Sequence, residues 1–411
     1  MCATIAKRMR LNSLSLTNFR NFVRLECEFS PGVTLVVGDN AQGKTSLLEA
    51  IHFLTGASNP HTRIDRHLIN FLALREQQPF ARIVAEVVHA DRKQRIEIRI
   101  IIEQGPNRGE MRSKKQILIN GVKKRLRDLF GTFNAVLFLP QDLSILEGPP
   151  SERRRYLDNV LSQADPSYAQ SLSEYSRVIT QRNALLKQLI DNRASGKQLE
   201  FWDDQLGNLG AYLVHQRALT LLELQALAYP YHHDLTQGEE TLRMEYLPAL
   251  VHKDQQKGQP ELPLEGPIIW ATVSQKEIRQ HLMTTLARSR SEEIARGMTL
   301  YGPHRDDLSF TANGVDLRSY GSRGQNRTAI LAAKLAEVDW LKQHSGEWPV
   351  LLLDEVLAEL DATRREALLS CLSKVQQAMV TTADVEMFHP GFLPQVIIWR
   401  VSSGTLTRLE S

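Results

Sequence analysis

The chain has 411 residues, of which 42% are hydrophobic, with 50 lysines and arginines against 47 aspartates and glutamates. At about 100 to 200 residues per domain this length predicts two or three compact units, and the composition excludes a collagen-like repeat, a polar disordered chain and a disulfide mini-protein. A formal charge of +3 is too small to point to nucleic acid by itself, so any basic surface must be local. The three cysteines, Cys2, Cys27 and Cys371, lie far apart without CxxC spacing, which argues against a disulfide framework or a zinc site and fits a reducing compartment. Met1 to Arg10 lacks the apolar core of about 7 to 15 residues that marks an export signal, and no stretch approaches the roughly 18 apolar residues that span a bilayer. A soluble, cytoplasmic protein without a membrane partner is therefore expected.

From Leu11 to about Leu146 the pattern is one of short strands and turns. Leu14 and Leu16 alternate, Thr34 to Val37 is a β-rich run, and Ile96, Ile98 and Ile100 repeat at every second position. Gln116 to Ile119 followed by Asn120-Gly121 predicts a hairpin, because Asn and Gly tolerate the positive φ of a type I′ turn. Arg112, Lys114, Lys115, Lys123, Lys124, Arg125 and Arg127 surround it. After Gly148-Pro149-Pro150 helix takes over. Tyr168, Leu172, Tyr175 and Ile179 form one apolar stripe, and Trp202, Leu206, Leu209 and Leu213 a second. With Asn192 to Gly196 as a polar connector, these predict an antiparallel helical hairpin. Lys253 to Pro267, rich in Gln, Gly and Pro, reads as an exposed loop, and Gln275 to Arg296 as a further helix.

Near Tyr301 the strand signals return. Leu308 to Phe310, an Asn313-Gly314 turn and Val315 to Leu317 predict a second hairpin. Val350 to Leu353, Ala378 to Thr381 and Val396 to Val401 are continuous apolar runs, as expected of parallel strands buried on both faces. The helical block thus reads as an insertion in one discontinuous α/β domain, with divisions expected at 1–148, 149–300 and 301–411. No internal repeat of fixed period is found.

Three local patterns carry chemistry. Gly38-Asp39-Asn40-Ala41-Gln42-Gly43-Lys44-Thr45 matches the phosphate-loop pattern GxxxxGK[ST], with a strand before it and a helix over Ser46 to Phe53 after it. In that order, loop N–H groups and a helix N-terminus converge on phosphates, Lys44 meets the β- and γ-phosphates, and Thr45 ligates Mg²⁺. Val350 to Leu353 delivers Asp354 and Glu355 to a strand end. Asp354 is suited to hold Mg²⁺ through water, and Glu355 to polarise an attacking water. Gly321-Ser322-Arg323-Gly324-Gln325 precedes a helical run from Asn326 to Leu341 and is a second anion-binding device. One nucleotide does not need two cradles from one subunit, so the Ser322 loop is expected to meet the γ-phosphate bound on another copy of the chain. An ordinary helix cap is the plainer alternative. His61 and His67 lack a partner at metal spacing, and no Ser-His-Asp grouping is present.

Taken in order, the phosphate loop, Gln141 in Phe138-Leu139-Pro140-Gln141, the Gly321 to Gln325 stretch, Asp354-Glu355 and Glu359-Leu360-Asp361 resemble the head of the ABC ATPase superfamily, in its SMC-like branch. Leu16 to Phe22, Glu147 to Asp158 with Arg153-Arg154-Arg155, and Tyr301 to Asp307 resemble the RecF family of bacterial recombination mediators, over about Leu11 to Thr382. The resemblance implies an ABC-type P-loop ATPase head with a mixed sheet, interrupted by an inserted α-helical lid. The phosphate loop and an antiparallel β region would lie in 1–148, the lid in 149–300, and the signature motif, Walker B carboxylates and D-loop in 301–411.

It implies ATP and Mg²⁺ as cofactors, with Thr45, Asp354 and Gln141 toward the metal. Glu355, Gln141 and Ser322 would be the catalytic residues of a slow, DNA-stimulated ATPase acting as a switch. It implies an ATP-dependent homodimer on single-stranded DNA and gapped duplex, partnered by RecR and RecO. The setting would be recombinase loading at gaps, recombinational repair, replication maintenance and SOS induction in the cytoplasm. Candidate DNA contacts are Lys123, Lys124, Arg125, Arg153 and Arg154, for which a solvated charged surface is the other reading. His304 and Arg305 can contact nucleotide or couple the two domains.

The pattern departs from the superfamily at Arg323, which replaces the signature's middle glycine. It departs again at Thr382, where many members carry a switch histidine, and this points to slow hydrolysis. An SMC-like DNA tether would need long coiled coils that are absent, and an ABC transporter subunit would need a membrane partner and a short path from phosphate loop to signature. A P-loop metabolic kinase would leave the Ser322 loop unexplained.

Overall fold

The computed structural model describes residues 9–60, 62, 64–90, 92–104, 111–191, 196–250, 269–372, 374–383 and 396–409. Cys2, His61 and the loop from Lys253 to Pro267 lie outside them. The chain divides into two compact units: one runs to Asp142 and resumes at Lys334, and the other spans Leu143–Ala333.

The first unit opens with β1 (Arg10–Phe19), β2 (Phe22–Glu28), β3 (Gly32–Val37) and α1 (Lys44–His52), followed by β4 (Phe80–Val88), β5 (Lys93–Gln104), β6 (Met111–Ile119), β7 (Val122–Lys124) and β8 (Ala135–Phe138). Six of these strands form an antiparallel sheet in the order β2-β1-β4-β5-β6-β7. Ala81, Ile83, Ala85 and Val87 of β4 and Ile96, Ile98, Ile100 and Ile102 of β5 are buried at every second position, which sets one face of the sheet against the core. In β1 the register shifts between Leu11 and Ser13. The extra residue lets Leu11 and Leu14, three apart, both point inward. The β6–β7 hairpin turns at Asn120 (φ 51°) and Gly121 (φ 79°), the two positive φ values expected there.

The second unit holds α2 (Ser144–Glu147), α3 (Pro150–Ala164), α4 (Pro166–Ile190), α5 (Gln198–Leu235), β9 (Leu242–Leu247), α6 (Gln275–Arg296), β10 (Asp307–Ala312), β11 (Val315–Asp316) and α7 (Leu317–Tyr320). The helix α5 packs on both α4 and α6. Its interior is not purely apolar. Arg182, fully buried, donates to Asp203 at 2.8 Å, Thr299 at 2.8 Å and Glu293 at 2.6 Å. Arg217 donates to both carboxylate oxygens of Asp158 and to the Pro303 carbonyl. A buried guanidinium costs several kcal/mol of desolvation unless it is paired in this way, so these arginines fix how the helices meet.

The β10–β11 hairpin turns at Asn313 and Gly314 as expected, but it pairs with β9 of the second unit in a three-stranded sheet. The expectation that the head domain resumes at Tyr301 is corrected here: alternation reveals a strand and its turn, not the edge it joins. Leu317, expected in the strand, begins α7 instead, because Asp316 caps the helix by accepting from the Arg318 N–H.

The chain passes through α8 (Arg323–Ser345) and returns to the first unit with β12 (Val350–Asp354), α9 (Ala362–Leu372), β13 (Gln377–Thr382), β14 (Val396–Ser402) and β15 (Thr405–Arg408). The second sheet of that unit has the order β15-β14-β3-β13-β12-β8, parallel from β14 to β8. Every residue of β12, β13 and β8 is buried, as expected of parallel strands covered on both faces, although β13 also buries the polar Gln377, Thr381 and Thr382. Buried Gln377 stitches the two sheets: its amide accepts from the Leu11 N–H and donates to the Leu11 carbonyl, both at 2.8 Å, where the bulge frees that backbone. The α/β architecture with a mixed sheet agrees with the sequence reading. Among the described residues no helix is long and apolar enough to cross a membrane.

Candidate nucleotide site

The first parallel strands of the sheet end at one edge, and the chemistry-bearing loops leave from it. β3 ends at Val37, and the stretch Gly38–Gly43 leads into α1. Gly43 has φ 118°, and a Cβ there would also stand 3.2 Å from the Phe22 ring, so only glycine fits. A Cβ on Gly38 would stand 2.4 Å from the Val401 carbonyl oxygen. Ala41 is held in the left-handed region at φ 64°, and its carbonyl accepts from Asn21 Nδ2 at 2.9 Å. A tight, glycine-bounded loop running into the N-terminus of a nine-residue helix is an anion-binding device.

Lys44 is buried, with its Nζ 2.5 Å from the Gly38 carbonyl, 3.1 Å from the Asp39 carbonyl and 2.8 Å from Glu355 Oε1. The ammonium thus lies inside the loop. Thr45 Oγ1 donates to Asp354 Oδ2 at 2.8 Å, which joins the start of α1 to the end of β12. The other oxygen, Asp354 Oδ1, accepts from Thr381 Oγ1 at 2.8 Å, and the Glu355 N–H donates to that same hydroxyl at 3.0 Å. Glu355 adopts φ 53°, a left-handed conformation unusual for a non-glycine residue.

These residues fit a magnesium nucleotide. The hydroxyl and the carboxylate, 2.8 Å apart, are hard oxygen donors of the kind that would hold Mg²⁺ together with phosphate oxygens and water. Among the described residues no group of three His, Cys, Asp or Glu could hold a metal without such help. Gln141 follows β8 in the short turn Pro140–Leu143 and is exposed. It lies past the end of the strand that pairs in parallel with β12. Thr382 is buried at the end of β13, and its carbonyl accepts from the Gly38 N–H at 3.4 Å.

Thr381 and Asn21 are functional neighbours that the sequence reading missed. Thr381 lies directly opposite Asp354 in the β12–β13 register, and Asn21 in the β1–β2 turn. Neither carries a local motif; only strand pairing brings them to the loop.

Ser322 belongs to the second unit, where it is exposed. It caps α8: its hydroxyl accepts from the Gln325 N–H at 3.2 Å while the Gln325 side chain accepts from the Ser322 N–H at 2.9 Å. Gly321 is obligatory before it, since a Cβ there would stand 2.2 Å from Asn326 Oδ1. Gln325 and Asn326 are bound in turn to Glu240 and Glu147, which fixes the start of the helix.

The basic candidates divide sharply. Lys123, Lys124 and Arg125 are exposed on β7, the edge strand, and in the turn after it. Arg153 must be withdrawn as a DNA contact. It is 1% exposed, its guanidinium is bound by Asp307 at 2.6 and 3.1 Å, and it also donates to the carbonyls of Leu146 and Gly148. Arg154 is partly buried, donates to the Asp306 carbonyl and has its pKa lowered, chiefly by burial and then by Arg217. An Arg-Arg-Arg run looks basic in sequence, but one of its members here is an interior ion pair. His304 also turns inward. Its Nδ1 is 2.9 Å from the Tyr175 hydroxyl and its Nε2 3.2 Å from the Thr299 carbonyl, so a neutral ring donates from Nε2 and accepts at Nδ1.

Comparison with known proteins agrees with this geometry. The RecF/RecN/SMC N-terminal domain family matches residues 10–399. The DNA replication and repair protein RecF of Chloroflexus aurantiacus is 39% identical over 405 residues, covering 96% of this chain and 99% of its own. That of Shouchella clausii is 35% identical, covering 98% and 100%. A solved structure of the recombination mediator RecF with ATP, from the RecFOR pathway, superposes with a TM-score of 0.84 at 30% identity and covers both chains fully. The Smc head domain of Pyrococcus furiosus, at 16% identity and a TM-score of 0.50 over 98% of this chain and 96% of its own, shares the fold. On its sequence and its ABC/SMC-type ATPase fold, the chain belongs to the RecF family of DNA replication and repair proteins.

Proposed function

We propose that the chain is an ATP-driven switch on DNA, in which nucleotide at the phosphate loop governs association of two copies. The observation that carries this is the convergence of Lys44, Thr45, Asp354 and Glu355, joined by an ion pair and a hydrogen bond of 2.8 Å each. The loop and Lys44 would hold the nucleotide's phosphates, and Thr45 and Asp354, with Gln141 as a further contact, would hold Mg²⁺, which would offset the phosphate charge. Glu355 is placed to orient and deprotonate water, the general-base role. Thr382, lacking an imidazole, supports slow hydrolysis, as suits a switch. Ser322, exposed at the start of a capped helix, is assigned to the γ-phosphate site of a second copy.

The head would then be the phosphate-loop unit and the lid the helical unit. Lys123, Lys124 and Arg125 are the assigned phosphate contacts to DNA. Near-full-length likeness to RecF proteins, and to a structure named for the RecFOR pathway, supports RecR and RecO as partners in recombinational repair, SOS induction and recombinase loading at gaps, in the cytoplasm. The test is size-exclusion of the purified protein with and without ATP and Mg²⁺, at two salt concentrations, with gapped DNA added. The proposal expects an ATP-dependent dimer that shifts further with DNA. A species unchanged by either overturns it.

A further inference from the structure

The phosphate loop is gripped from the far end of the chain. Ser403 and Gly404 join β14 to β15 at φ of 48° and 73°. The Ser403 N–H donates to Gln42 Oε1 at 2.6 Å, and the Gly404 N–H to the Gln42 carbonyl at 3.3 Å. One residue of the loop thus receives both amides of the turn. Gly404 cannot carry a side chain: a Cβ would stand 2.5 Å from the Asn21 carbonyl oxygen. Asn21 in turn donates to the Ala41 carbonyl. The contacts close a ring, from Gln42 through the β14–β15 turn and Asn21 back to Ala41.

We propose that this turn is a positioning clamp for the phosphate loop, with Gln42 and Gly404 as its positioning residues. The inference rests on the reading of the loop as an ATP site. Ala41, a non-glycine residue at φ 64°, occupies a backbone conformation that persists only where the surroundings over-determine it. Two hairpin turns, one from each end of the chain, provide that restraint. A loop released from it spends part of its time in shapes that do not fit phosphate, and its apparent affinity falls by that fraction. Because the clamp acts on the shape of the loop, its removal weakens ATP and ADP binding alike.

The test is titration of fluorescent ATP and ADP analogues into wild type, Gln42→Met, Gly404→Ala and Lys44→Met, with thermal melting and hydrogen exchange of the loop amides. Gln42→Met keeps the length of the side chain and removes its acceptor. Gln42→Met should bind each nucleotide about three- to tenfold more weakly, the range for removing one hydrogen bond, and Gly404→Ala should also bind both more weakly, because its Cβ would push the turn off the Asn21 carbonyl. Gln42→Met should melt as wild type does, and its loop amides should exchange faster. If Lys44→Met removes binding while both clamp variants bind as wild type does, the clamp is wrong and the ATP site stands. If Lys44→Met leaves binding unchanged, the ATP-site reading falls and the clamp with it. Should Gly404→Ala melt early, Gln42→Met decides, and wild-type affinity and exchange in that variant overturn the clamp.

Discussion

Lys44 Nζ lies 2.8 Å from Glu355 Oε1, so the lysine assigned to phosphate and the carboxylate assigned to water meet in a direct ion pair. A bound phosphate and Glu355 therefore compete for one buried ammonium. Removing the carboxylate's charge should relieve that competition while also removing the base.

Glu355→Gln is accordingly expected to bind ATP more tightly and hydrolyse it more slowly. Because the Glu355 side chain is 39% exposed, solvent screening limits the gain in affinity to a few-fold, whereas removal of a general base costs about 100-fold or more in rate. Nucleotide titration beside single-turnover hydrolysis measures both. Weaker binding would mean that Glu355 supports the loop rather than competing for its lysine.

Two basic sites make opposite predictions. Reversing charge at exposed Lys123, Lys124 and Arg125 should leave the melting temperature near wild type and weaken DNA binding for all sequences. The slope of log affinity against log salt should flatten by about 0.9 for each duplex phosphate that the variant no longer neutralises. Arg153→Ala should instead destabilise the fold by about 1 to 3 kcal/mol, since it removes the ion-pair partner of the partly buried Asp307 carboxylate and the donor to the Leu146 and Gly148 carbonyls. Fluorescence anisotropy over a salt series, with thermal melts of each variant, separates the two. An unchanged salt slope in the hairpin variant would remove that surface from the DNA path.

How much of the site is legible in the sequence follows from distance along the chain. Gly38–Thr45 and Asp354-Glu355 declare themselves because all the chemistry lies within a few consecutive residues. Thr381 bridges Asp354 and Glu355 only because β13 runs parallel to β12 in one register, which no local pattern encodes. The grip of Ser403 and Gly404 on Gln42 likewise depends on β14 lying beside β3. Arg153 misleads because its partner, Asp307, comes from the far side of the helical block. The apolar stripes of α4 and α5 are legible, while the buried Arg182 and Arg217 between them are not, since a charged residue reads as surface until its partners are known.

Burial pushes the His304 imidazole down to about 4, opposed by its bond to the Thr299 carbonyl. Its unfolded value is near 6.5, so between pH 6.5 and 4 the unfolded chain takes up a proton that the folded chain refuses. The stability this neutral ring contributes is complete above that window and falls as the pH drops through it, by on the order of 3 kcal/mol in all. His304→Gln keeps a donor and an acceptor and should flatten the decline. Melting temperatures of both proteins from pH 7.5 to 5 provide the comparison, and parallel curves would show that His304 carries none of the acid sensitivity.

The central claim is that Ser322 completes the nucleotide site of a second copy, and mixing two defective chains tests it most directly. Lys44→Met lacks the charge for the β- and γ-phosphates, and Ser322→Arg blocks the surface offered to the partner while leaving its own phosphate loop intact. Neither should dimerise alone with ATP. A heterodimer of the two has one composite site disabled twice and the other whole. Light scattering of the mixture with ATP and Mg²⁺ should show a dimer fraction that neither chain gives by itself, with Ser322→Arg retaining near wild-type nucleotide affinity as a monomer. Normal ATP-driven dimerisation of Ser322→Arg alone, or loss of its own nucleotide binding, would contradict the account.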